Sequence, residues 1–201
     1  LNNDMIGDPA SPSGAVYDRQ VRVFSEGLPQ GLQSEDAARM RALAAEADSP
    51  SRQLARFIGE VAAQHGTDVA PLLIHRHDRF LRGGDHTPYN EKGWPAVRFC
   101  VVDENYDRQH QDVRVEGDRR YGDLVEYIDP AYLAGVTRVN VAALAHLANG
   151  PSTPGNARII VASLDNDTTL RWEASPEPDV AGYEVVWRET TSPVWQHAAD
   201  V

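Results

Sequence analysis

Apolar and polar positions alternate with a period of two over Val21-Arg22-Val23-Phe24, which predicts a half-buried strand. Ser34-Glu35-Asp36-Ala37 then opens an Ala-rich helical stretch to Ala47, with Ser34 placed as its N-cap and two acids in its first turn. Asp48-Ser49-Pro50 ends that helix and starts another, since proline is tolerated in a first helical turn. In the second helix Leu54, Phe57, Ile58 and Val61 recur at helical spacing, and Gly66 stops it. Residues 70–74 and 95–102 carry apolar runs of strand length. Residues 132–148 form a last helix whose stripe is Leu133, Val136, Val139, Leu144 and Leu147. At the start, Leu1-Asn2-Asn3-Asp4-Met5-Ile6-Gly7 predicts a short buried strand running into a glycine turn. Strands alternating with helices indicate an α/β sheet with helices packed on its faces.

The pattern changes after residue 149. Asn149-Gly150-Pro151-Ser152-Thr153-Pro154-Gly155-Asn156 has the composition of a linker. Beyond it, residues 159–164, 168–172 and 183–187 are short β segments. They are separated by Asp165-Asn166-Asp167 and Pro176-Glu177-Pro178-Asp179, as at the start of an all-β sandwich. The expected organisation is therefore an α/β part over 1–149, a linker over 150–157 and a β segment over 158–201. The opening lacks an initiator Met and a signal pattern, and the β segment holds too few strands to close two sheets. Both ends are expected to continue in a longer parent.

Composition narrows the classes. The 201 residues suffice for one domain and a smaller piece, and 41% hydrophobic with 24% charged residues fits a globular chain. With 30 acidic against 19 basic side chains, the formal charge of −11 disfavours binding to a phosphate backbone. No apolar run reaches the roughly 20 residues of a membrane-spanning helix. Cys100 is the single cysteine, which excludes an internal disulfide and a cysteine-based zinc knuckle.

Two segments carry most of the candidate chemistry. Arg82-Gly83-Gly84-Asp85-His86-Thr87-Pro88-Tyr89 leads into Gly93-Trp94-Pro95-Ala96-Val97, and its glycine pair permits a sharp bend. Glu104-Asn105-Tyr106-Asp107-Arg108-Gln109-His110-Gln111-Asp112 directly follows an apolar strand. Ligands in open α/β sheets gather at the carboxyl ends of strands. Asp4, Asp85 and His110 are therefore expected to meet in one cleft. His75-Arg76-His77-Asp78 fits a metal-binding loop or, more simply, a polar loop after a strand. His65 and His146, near helix C-termini, fit structural roles. Asp4 as a turn cap, His110 as a solvated loop residue and Asp85 as the holder of its own glycine turn are the plain alternatives.

Three landmarks, in order, resemble the M28 family of zinc peptidases. They are Asn3-Asp4-Met5-Ile6-Gly7, then Gly84-Asp85-His86-Thr87-Pro88-Tyr89 with Gly93-Trp94-Pro95-Ala96-Val97, and Tyr106 through Asp112. The tail, with Trp172, Gly182-Tyr183-Glu184-Val185-Val186-Trp187 and Trp195, resembles the first strands of a fibronectin type III domain. The resemblance implies part of a mixed-sheet, helix-flanked zinc-peptidase fold. It implies that Asp4 is a carboxylate ligand of one zinc and His110 an imidazole ligand of a second. Asp85 would lie beside the ligands or the substrate, as would His86 and Tyr106. Such donors suit zinc, which takes nitrogen and oxygen and keeps an open position for water in catalytic sites.

The resemblance departs from the family in what this stretch contains. The family's first zinc-binding His, its bridging Asp and its Glu-Glu pair with the general base all fall upstream of the part matched by Asp4. The stretch by itself is therefore expected to be inactive, and the intact parent to hold two zinc ions and cleave N-terminal peptide bonds. Gln109 stands where some relatives have Tyr, for which Tyr106 is a substitute, and Gly84 stands where Ser is common, a change expected to be mild. The expected partner is a peptide substrate, with no nucleic acid and no membrane span; family analogy favours a secreted or periplasmic setting. The alternative is a non-catalytic interaction module on a peptidase-like scaffold. A third reading has Trp187 and Trp195 of the tail stacking on sugars.

Overall fold

The computed structural model describes residues 1–29, 32–162 and 166–201. Residues 1–145 form one compact unit and residues 146–201 a second.

In the first unit the chain order is β1 (Asn2–Asn3), β2 (Gln20–Ser25), α1 (Ser34–Ala42), α2 (Pro50–Gln64) and β3 (Ala70–Ile74). It continues through α3 (Thr87–Glu91), β4 (Val97–Cys100), the hairpin β5 (Arg114–Glu116) and β6 (Arg119–Tyr121), and α4 (Pro130–Asn149). The central sheet has the order β1-β4-β2-β3. β1 runs parallel to β4, β2 antiparallel to β4, and β3 parallel to β2. The sheet is thus mixed, as expected.

The helices follow local chemistry. Ser49 caps α2, its Oγ accepting from the Arg52 N–H at 3.3 Å and donating to the Glu26 carbonyl at 2.5 Å. Gly66, in the left-handed region at φ +56°, ends it. Asp129 caps α4 by accepting from the N–H groups of Ala131 and Tyr132 at 2.8 and 3.1 Å, so the helix starts at Pro130 rather than at residue 132. The Ala-rich stretch is shorter than its composition suggests. α1 buries no side chain, and the helix breaks where Ala44 turns left-handed at φ +52° before a 3₁₀ turn, Ala45–Asp48. The N-cap position is Gln33, not Ser34, and its side chain makes no capping bond.

Register sorts the sheet into two unlike faces. Val23 pairs with Phe99 and with Leu73, which puts these three on one side together with Val21, Val97 and Val101. Leu73 lies against Gly59 of α2, and Asn3, paired with Phe99, exchanges side-chain hydrogen bonds with Asn140 of α4 at 3.0 and 3.1 Å. Both long helices therefore cover this face, and most of the core lies between them and the sheet, with Phe24 and Cys100 joining it from the other side. The other face carries Asn2, Arg22, Phe24, Arg98 and Cys100. Residues 76–86 fold across it. The expectation of helices on both faces is corrected here: among the described residues, one face is covered by helices and the other by a loop and buried ion pairs.

The second unit holds two antiparallel pairs, β7 (Gly155–Ile160) with β8 (Thr169–Glu173), and β9 (Glu184–Trp187) with β10 (His197–Asp200). β7 begins inside the stretch read as linker. The predicted segment 159–164 ends among residues outside the described ones, as does part of the turn at Asp165. Trp187 stacks on the His197 ring at 5.2 Å, and Arg188 sits over Trp195 at 5.5 Å.

Candidate functional site

A cleft of about 520 Å³ opens where β1 and β4 end. Asp4, Met5, Gly7 and Asp8 line it from the segment after β1, and Val101, Asn105, Arg108, Gln109 and His110 from the chain after β4. Asp123, Leu124, Val125, Tyr127 and Ile128 close the third side. Asp4 and His110 thus reach one cleft from opposite ends of the unit's sequence.

Each side is held by its own backbone. The Asp4 N–H donates to the Phe99 carbonyl at 3.2 Å and the Val101 N–H to the Met5 carbonyl at 3.0 Å, extending the β1–β4 contact to the cleft rim. Met5 then takes φ +60° and His110 φ +51°. Left-handed backbone is unusual for side-chain-bearing residues and recurs where surrounding structure over-determines a site. The His110 N–H donates to Asp123 Oδ2 at 3.2 Å, which ties its loop to the chain after the β5–β6 hairpin. Arg119 of β6 forks onto both oxygens of Asp107 at 2.6 and 2.8 Å, and the Gly122 N–H reaches the Asp107 carbonyl at 2.9 Å. Arg108 pairs with Asp8 at 2.8 Å and lies over the Tyr127 ring at 4.0 Å.

The remaining predicted residues lie elsewhere. Asp85 is exposed and does not line the cleft. The reason is strand direction: β2 and β3 run against β1 and β4, so the chain leaving β3 starts from the opposite end of the sheet. The three-way meeting of Asp4, Asp85 and His110 is therefore corrected to a meeting of two. His86 is buried, its Nε2 3.0 Å from the His77 carbonyl. Burial holds its imidazole below the ordinary histidine range, with the nearby His77 and Arg98 acting in the same direction against the His77 carbonyl and Asp78. Tyr106 lines a separate, smaller cleft of about 300 Å³ with Arg22, Arg76 and Glu104. A Cβ at Gly84 would lie 2.9 Å from Asn2 Oδ1, so the Asn2 side chain would have to shift to admit one.

The residue that sequence reasoning missed is Arg98. It is fully buried, and its Nη2 lies 2.7 Å from Asp4 Oδ2 in an ion pair that lacks hydrogen-bond geometry. Its Nη1 donates to both oxygens of Asp78, at 2.9 and 2.7 Å, and to the Gly83 carbonyl at 3.0 Å. Burial alone would raise the Asp78 carboxyl. The Arg98 guanidinium and the Arg79 N–H outweigh it and hold the group below the usual carboxylate range. Arg79 pairs in turn with Glu104, which also accepts from Arg22 at 2.8 Å. The signal lay in Val97-Arg98-Phe99-Cys100-Val101: a lone arginine in an apolar strand buried on both faces must have a partner.

As donors, one carboxylate and one imidazole fit zinc. Among the described residues no cluster of three or more His, Cys, Asp or Glu side chains is placed to hold a metal ion, so these two do not complete a centre.

The chain is similar over its whole length to curated fungal proteins. It is 45% identical over 201 residues to one from Leptosphaeria maculans and 43% identical over 203 residues to one from Pyrenophora tritici-repentis, both named "Probable zinc metalloprotease". A third of that name, from Pyricularia oryzae, is 42% identical over 203 residues, covering 98% of this chain. The chain spans 47%, 42% and 40% of those relatives, less than half of each. No family model and no solved structure matches it.

Proposed function

We propose that this chain belongs to a zinc metallopeptidase and supplies two of its metal ligands, Asp4 and His110, each to one of two zinc ions. The observation that carries the reading is their convergence on one cleft; similarity to proteins named as zinc metalloproteases supports it. When bound, zinc lowers the pKa of a coordinated water and polarises a carbonyl oxygen.

The chain's own groups would do the rest. Asp4 pairs with the buried Arg98 through Oδ2, and its half-exposed carboxylate still lines the cleft. The cleft is lined by three carboxylates, Asp4, Asp8 and Asp123, against one cation, Arg108, which pairs with Asp8. Its net charge therefore attracts a cation, and a peptide's free α-amine carries one. Met5, Val101, Leu124 and Ile128 form an apolar wall suited to a neighbouring aliphatic side chain. This combination favours an aminopeptidase of the M28 type, with its general base supplied by residues outside this chain.

The test is metal content and aminoacyl-amide hydrolysis by the natural full-length protein that carries this chain. The expected result is stoichiometric zinc and release of the N-terminal residue. A protein without bound zinc and without hydrolysis of such substrates sinks the reading.

A further inference from the structure

We infer that Arg98 is a positioning residue for Asp4: it takes one carboxylate oxygen and so restricts Asp4 to ligating metal through the other. The inference rests on the zinc-ligand reading of Asp4 given above.

Three observations carry it. Arg98 is fully buried while the Asp4 side chain is 42% exposed, so the guanidinium approaches Asp4 from the interior and leaves its outer side to the cleft. The guanidinium cannot swing away, because its other arm is fixed by both oxygens of Asp78 and the Gly83 carbonyl. Asp78 is itself anchored by the Arg79 N–H at 2.6 Å. Finally, Asp4 is joined to a connected group of charged side chains. Arg22, Arg79 and Arg98 form one connected group with Asp78 and Glu104 in this loop-covered face, and Asp4 is the carboxylate that evens the count. Asp4 is therefore in contact with the buried network and with the cleft together. Partners that orient a metal ligand in this way typically change metal affinity by about 10- to 100-fold when altered.

Lysine retains the charge but cannot hold two carboxylates with a planar fork, so Arg98→Lys is the informative variant. A neutral residue would leave the buried Asp78 with only the longer Arg79 Nε contact at 3.4 Å as its guanidinium partner. In the natural full-length protein, zinc affinity is measured by chelator competition for wild type, Arg98→Lys and Arg22→Lys. Arg22 sits in the same network but touches Glu104 and not Asp4. Arg98→Lys is expected to weaken zinc binding by at least tenfold, with Arg22→Lys unchanged. Equal affinity in wild type and Arg98→Lys, or equal weakening in both variants, overturns the positioning role. If Arg98→Lys fails to fold, a crystal structure of the zinc-loaded wild type decides. One Asp4 oxygen on zinc and the other on Arg98 supports the inference; both oxygens on zinc, or Arg98 released, overturns it. A wild type that binds no zinc removes the metallopeptidase reading and this inference with it, whereas a failure confined to Arg98→Lys leaves that reading standing.

Discussion

At the scale of single residues, the cleft depends on donors that differ in how they are held. Asp4 pairs with a buried guanidinium, while His110 is exposed and its own N–H is bound to the Asp123 carboxylate. Asp4→Asn and His110→Ala are each expected to lower bound zinc by about one equivalent in the full-length protein, read by elemental analysis. A second residue tests burial rather than metal. Glu26 is buried, and desolvation pushes its carboxyl up from 4.5 to about 7. Between those values the folded chain holds a proton that the unfolded chain releases, so this group's contribution to stability falls as pH rises through that window. Glu26→Gln is therefore expected to be more stable than wild type at pH 8 by ~2–3 kcal/mol, with the gap closing towards pH 4.5. Urea midpoints at the two pH values check it.

At the scale of elements, α2 and α4 are held by features that can be removed one at a time. The Ser49 hydroxyl both caps α2 and satisfies the Glu26 carbonyl, so Ser49→Ala is expected to cost ~1–2 kcal/mol by chemical denaturation. Gly135 lets α4 approach the sheet side closely: a Cβ there would fall 2.5 Å from Val69 Cγ2. Gly135→Ala is expected to lower stability by ~1 kcal/mol or more despite alanine's better helix propensity, and adding Val69→Ala should restore part of it. Much of this layer could be read from the sequence. The run 70–74 is β3 itself, and Ser49-Pro50 marks the start of α2 because capping chemistry is local. The β5–β6 hairpin, β10 and the reversal of β2 were not read. Short exposed strands leave little periodic signal, and strand direction is set by pairing partners far away in the chain. Asp4 and His110, each following its own strand, do line one cleft, whereas Asp85 does not, and the buried Arg98 carried no signal beyond a lone charge in an apolar strand.

At the scale of the whole molecule, a zinc site would link metal binding to the stability of the first unit. Anything that binds only the folded form stabilises it in proportion to the logarithm of its concentration over Kd. Chelator treatment of the full-length protein is thus expected to lower its Tm, added zinc to restore it, and Asp4→Asn to abolish the difference; scanning calorimetry reads all three. The left-handed backbone at Met5 and His110 has one further consequence. Glycine relaxes such a conformation, yet at 110 it would also delete the imidazole. Laboratory evolution for heat resistance alone should drift towards glycine at both positions, while selection for turnover should resist it at 110. The divergence between the two selected populations would expose, without any assay of metal, which of these backbone tensions the protein keeps for the sake of its chemistry.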